Sequence, residues 1–157
     1  MFAFRTFVAV ILFSIVMPLP GTASSVPVTK SDKCPVCGMF VAKYPDFLAQ
    51  IIFSDGSSAV FDGAKDMFKY YFDLKTYNSS KEISDIASVY VTDYYDMQLV
   101  DGKKSWYVSG SDVFGPMGRE LMPFVVETDA REFMKDHSGK AMLLFDEVTP
   151  AIIQGLN

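Results

Sequence analysis

The chain has 157 residues, half of them hydrophobic and 15% aromatic, which excludes a disordered protein and suffices for one compact domain or two very small ones. A formal net charge of −5 gives no electrostatic drive toward nucleic acid or anionic lipid. Two cysteines and one histidine cannot fill the four positions of a Cys/His zinc site.

Residues 1–23 read as a signal peptide. Arg5 supplies the positive start, Phe7 to Met17 form a continuous apolar run, and Pro18 and Pro20 break it. Gly21 and Ala23 then place small residues at the −3 and −1 positions of a cleavage site. The run is shorter than the roughly 20 residues a spanning helix needs. Cleavage removes Arg5 and no acid, leaving 13 basic against 19 acidic residues, a net charge of about −6. The expected location is the periplasm, where thiols meet an oxidising compartment. No cysteine lies near the cleavage site to carry a lipid.

Residues 24–33 form a polar, proline-containing extended arm. Cys34-Pro35-Val36-Cys37-Gly38-Met39 follows, holding both cysteines of the chain and a methionine. Thiolate and thioether sulfur are soft ligands that together suit Cu(I). The same pair of cysteines could form a disulfide or a redox couple, so the spacing alone leaves three readings open.

Phe47 to Phe53 predicts a strand, Asp55-Gly56 a hairpin turn, and Ser58 to Phe61 the return strand. Asp62 is placed to cap a helix over Gly63 to Phe72, with Ala64, Met67, Phe68 and Tyr71 on one apolar face. Ser88 to Tyr94 is a third strand, and Asp101 to Lys104 a turn. Trp106 to Ser109 starts a new strand, and Gly115-Pro116-Met117-Gly118 makes a tight loop. Phe124 to Glu127 reads as a strand, and Thr128 or Asp129 as the cap of a helix through Lys135. Ala141 to Asp146 is the last strand, and the tail to Asn157 carries no clear signal.

Laid side by side, these pieces repeat. Ala64-Lys65-Asp66-Met67-Phe68-Lys69 matches Ala130-Arg131-Glu132-Phe133-Met134-Lys135 in chemical character, and each helix follows strand material and precedes a strand. The expected fold is α+β, two small related ββαβ units packed together, over residues 34–100 and 101–157. A Gly-Met pair precedes each unit: Gly38-Met39 in the first and Met117-Gly118 in the second.

With both methionine loops placed, the mature chain resembles the NosL family, accessory proteins of nitrous oxide reductase. The matching pieces are Cys37-Gly38-Met39, Ala49-Gln50-Ile51, Asp55-Gly56, Phe61-Asp62, the Trp106 strand, Pro116-Met117-Gly118 and the Ala130 to Phe133 helix. The resemblance implies a periplasmic Cu(I)-binding protein that delivers copper to nitrous oxide reductase or its assembly machinery. It also implies two related ββαβ units, similar to part of organomercury lyase. The family is commonly tethered through a lipidated cysteine, which this sequence lacks, leaving peripheral membrane association open.

The candidate metal ligands are Cys37, Met39, Met117 and Cys34. Cys37 gives a charged, polarisable donor, and Gly38 lets the backbone turn beside the metal. The thioethers of Met39 and Met117 cannot be lost to a disulfide. Cys34 either adds a second thiolate or pairs with Cys37. Met67, Met122, Met134 and Met142 read as core, and Tyr70, Tyr71, Tyr94 and Tyr95 as packing residues. His137 matches no motif. No Ser/His/Asp set, phosphate loop or carboxylate pair stands out, so a binding protein is favoured over an enzyme. The rival is an exported thiol-disulfide oxidoreductase using Cys34 and Cys37, which needs a depressed thiol pKa. Gly38 and Tyr44-Pro45 leave little room there for the helix that usually supplies it.

Overall fold

The Asp55-Gly56 signal forms the turn it predicts. Gly56 takes φ +84°, and β1 (Ala49–Phe53) turns through it into β2 (Ser58–Phe61). The computed structural model describes residues 24–156, so residues 1–23, read from the sequence as a signal peptide, lie outside the described residues. β2 leads into α1 (Ala64–Phe72) and a single turn, α2 (Leu74–Tyr77). β3 (Ile86–Thr92) then returns antiparallel to β1, pairing Ile51 with Val89, and β4 (Leu99–Asp101) adds an edge. The first sheet runs β2-β1-β3-β4.

The second unit repeats the plan. β5 (Trp106–Gly115) and β6 (Gly118–Phe124) form a hairpin closed by Pro116 and Met117. α3 (Glu127–Asp136) follows, and β7 (Ala141–Leu144) pairs with β5. The order β6-β5-β7 matches β2-β1-β3, so the sheets bear out two related ββαβ units in an α+β fold. α4 (Pro150–Gln154) completes the described chain. Among the described residues no helix is long and apolar enough to cross a membrane.

Several expected boundaries move. The first strand starts at Ala49 rather than Phe47, because Pro45 to Phe47 form a 3-10 turn. The strand expected over Phe124 to Glu127 instead ends at Phe124, and Val125 and Val126 bend into α3. Asp129 is not a cap: α3 starts from Val126 with no side-chain cap. The tail holds α4, whose Thr149 side chain accepts from the Ile152 N–H at 3.4 Å, with Pro150 opening the helix.

Alternation along β5 explains how the halves join. Tyr107 and Leu121 point into the larger core with α1, β1 and β3, alongside Met67, Phe68 and Phe145. Their neighbours Val108 and Met122 point the other way, onto Ala130 and Phe133 of α3. The second sheet therefore lies between α1 and α3. Tyr94 and Tyr95, just after β3, pack on Phe124 and Phe133 of the second unit, and Tyr94 meets Phe133 at 4.8 Å between centroids. Met67 and Met122 are fully buried, and Met134 and Met142 lie against the smaller core.

Candidate metal centre

The cysteine loop is a closed knuckle. Lys33 and Phe40 make an antiparallel bridge at its base, and the Cys34 N–H donates to the Met39 carbonyl at 2.9 Å. The Gly38 N–H donates to the Cys34 carbonyl, also at 2.9 Å. That reversal puts Gly38 at φ +78°, a left-handed conformation that glycine adopts without a Cβ penalty. The backbone N–H groups of Val36 and Cys37 face the Cys34 sulfur, and that of Met39 faces the Cys37 sulfur.

Both cysteines are free thiols, Cys34 buried in the larger core and Cys37 half-buried. Each meets a carboxylate. Cys37 Sγ donates to Asp62 Oδ1 at 3.2 Å, and Cys34 Sγ donates to Asp66 Oδ2 at 3.5 Å. One ligand atom from each of Cys34, Cys37, Asp62 and Asp66 lies within 4.8 Å of every other. Asp62 and Asp66 are 1% and 2% exposed. Burial pushes the Cys37 thiol up to about 11 and the Cys34 thiol higher, with Asp62 adding to both shifts. The N–H groups facing each sulfur work against that rise.

Asp62 is therefore not the helix cap expected of it. Gly63 occupies the N-cap position with no side-chain bond. The first turn of α1 is satisfied from the other unit: Glu120 of β6 accepts the Lys65 N–H through Oε1 at 2.5 Å, and the Leu121 N–H at 2.9 Å. A Cβ at position 63 would lie 2.1 Å from Glu120 Oε2, so glycine is what lets the carboxylate approach. Glu120 is 3% exposed, and burial raises its pKa to about 7 against the pull of the two N–H groups and Lys65.

The side chain of Lys65, itself buried, donates from Nζ to the Met117 carbonyl at 2.7 Å. This ties the β5–β6 turn to the helix turn that carries Asp66. Met117 is 45% exposed on that turn, and Met39 is half-buried on the knuckle. Of the four residues read from the sequence as ligands, the structure clusters the side chains of Cys34 and Cys37 and sets the backbone of Met117 beside α1. His137 is elsewhere, with Nδ1 3.0 Å from Asp112 and its ring stacked on Phe133. Sequence reasoning missed Asp62 and Asp66 as a carboxylate pair, and also Lys65 and Glu120. The one available signal was charge inside an otherwise apolar strand-helix junction.

Fold and site together define a small α+β protein with a largely buried cluster of two thiols and two carboxylates at the junction of a knuckle and a helix N-terminus. A family model described as NosL matches residues 25–153, and the chain belongs to the NosL family. The "Copper-binding lipoprotein NosL" of Stutzerimonas stutzeri is 27% identical over 126 residues, covering 79% of this chain. The match spans 65% of that relative's length. In fold, the chain is similar to the copper chaperone NosL from Shewanella denitrificans. That likeness has a TM-score of 0.71 at 24% identity, over 84% of this chain and 99% of the other.

Proposed function

We propose that the protein is an exported Cu(I)-binding chaperone that hands copper to nitrous oxide reductase or its assembly machinery, and that it has no catalytic cycle of its own. The observation that carries this reading is the pair of free thiols held by one knuckle, with backbone N–H groups already directed at both sulfurs. Such an arrangement accepts a soft monovalent cation with little rearrangement. Met39 on the same knuckle and Met117 on the tethered turn are the thioethers that complete the set. Cys37 is the more exposed thiol and the natural point of entry and release. The name of the Stutzerimonas stutzeri relative supports copper as cargo, and its being a lipoprotein supports export.

The oxidoreductase alternative is disfavoured by the same geometry. A redox nucleophile needs a thiol pKa pushed down, whereas burial and Asp62 push both of these up. The test has two arms. Reduced protein is titrated with Cu(I) against a chromophoric chelator, and the loaded protein is then mixed with copper-depleted nitrous oxide reductase. One tightly bound Cu(I) per chain and recovery of reductase copper are expected. Rapid turnover of a disulfide substrate without Cu(I) binding would overturn the proposal.

A further inference from the structure

Cu(I) does not account for Asp62 and Asp66. Carboxylate oxygen is a hard donor that a soft monovalent ion has little use for. Yet both side chains are buried beside the thiols, and Asp62 Oδ2 and Asp66 Oδ1 have no hydrogen-bond partner among the described residues. Lys69 lies 3.4 Å from Asp66 Oδ1 as a charge partner without hydrogen-bond geometry. Among the described residues Asp62 Oδ2 has no charge partner either, a costly state for a buried acidic oxygen.

We infer that Cys34, Cys37, Asp62 and Asp66 form a second, tetrahedral donor set for a borderline divalent cation of the Zn(II) or Co(II) type. The set shares its two thiols with the proposed copper site and uses the carboxylates where copper uses thioethers. Zn–S distances of about 2.3 Å and Zn–O distances of about 2.0–2.2 Å place tetrahedral donors roughly 3.3–3.8 Å apart. The four ligand atoms already lie within 4.8 Å of one another, so closing on an ion takes a shift of about an ångström at most. On binding, each thiol releases its proton to solvent and the carboxylates enter as anions. The resulting S2O2 shell carries the same formal charge as a four-cysteine zinc site. The positive end of α1 and Lys69 offset part of it. A count of cysteine and histidine misses this site because half its ligands are aspartates.

The inference rests on the same thiols as the copper reading, so its test separates the two. Reduced protein is titrated with Co(II), then Zn(II), and in parallel with Cu(I), for the wild type, for Asp62→Asn with Asp66→Asn, and for Met117→Leu. Wild type is expected to bind one Co(II) with the intense visible bands of four-coordinate cobalt and a thiolate charge-transfer band, and Zn(II) should displace it. The double aspartate variant should lose Zn(II) affinity by about tenfold or more while its Cu(I) affinity stays within about threefold. Met117→Leu should show the opposite pattern. Should the aspartate variant fail to fold by circular dichroism, X-ray absorption of the zinc-loaded wild type decides. Two sulfur and two light scatterers support the site; four light scatterers, or sulfur alone, overturn it. Weak six-coordinate cobalt bands, or unchanged Zn(II) affinity in the folded aspartate variant, also overturn it. Loss of Cu(I) binding alone in the wild type would overturn the copper reading and leave this one standing.

Discussion

Glu120→Gln should make the apo protein more stable at alkaline pH. Glu120, on β6, faces the first turn of α1 with 3% of its surface exposed, and burial raises its pKa from 4.5 to about 7. A rise of this size corresponds to about 3 kcal/mol at 1.36 kcal/mol per pH unit. Because the folded pKa is the higher one, the native state holds the proton more tightly than the unfolded chain. The associated stability is fully present below about pH 4.5 and is lost as pH rises through about 7. Roughly 2.5 kcal/mol of the loss falls between about pH 5 and pH 8. Glutamine stays neutral throughout and keeps an oxygen in place of Oε1 for the Lys65 and Leu121 N–H groups. Urea unfolding of reduced, chelated protein should therefore give similar stabilities near pH 5. Near pH 8 the variant should lead by roughly 2 kcal/mol. The raised thiols do not intrude, since their contribution begins to fall only as pH approaches about 9, where the unfolded thiols ionise, above this window. A difference between the two proteins that stays flat across this window would refute the reasoning. It would mean that the Lys65 ammonium holds Glu120 ionised as a buried ion pair.

Three further outcomes are expected. Oxidising Cys34 and Cys37 to a disulfide should abolish Cu(I) binding, measured by chelator competition before and after reduction, because no thiolate remains. Met117→Leu should leave the melting curve of the apo protein nearly unchanged and weaken Cu(I) binding by about tenfold, near 1.4 kcal/mol. Gly38→Ala should cost the apo protein roughly 1–2 kcal/mol in urea unfolding from backbone strain alone, since a Cβ there meets nothing within 4 Å.

The repeat was legible because it is written locally. Asp55-Gly56 specifies a hairpin by itself, and the helix periods at Ala64 and Ala130 come from residues within one or two turns of each other. What local reading lost were elements stabilised from a distance. β4 is three residues long and exists because β3 offers it an edge, pairing Val91 with Val100. β6 contains Pro123, which argues against a central strand, but β6 is the edge of its sheet and tolerates it. Its real span, Gly118–Phe124, therefore hid behind the more strand-like Phe124-Val125-Val126.

The same division separates the half of the site that could be read from the half that could not. The knuckle is contiguous, so Cys34, Cys37, Gly38 and Met39 announce themselves. The carboxylates lie 25 and 32 residues along the chain from the sulfurs they meet. Asp62 was also misleading in a specific way: an aspartate just before an amphipathic helix is what a cap looks like. Two groups compete for the role, and the tertiary fold decides between them. Glu120, 55 residues from Lys65, reaches across from the second unit and takes the helix N–H. That leaves Asp62 free to turn toward Cys37. Lys65 meanwhile uses its side chain to hold the Met117 turn. The second unit of the repeat contributes no cysteine, yet it supplies both the cap that releases Asp62 and the loop that carries Met117. Packing one copy of the repeat against the other is what converts a capped helix into a pocket lined by two thiols and two carboxylates.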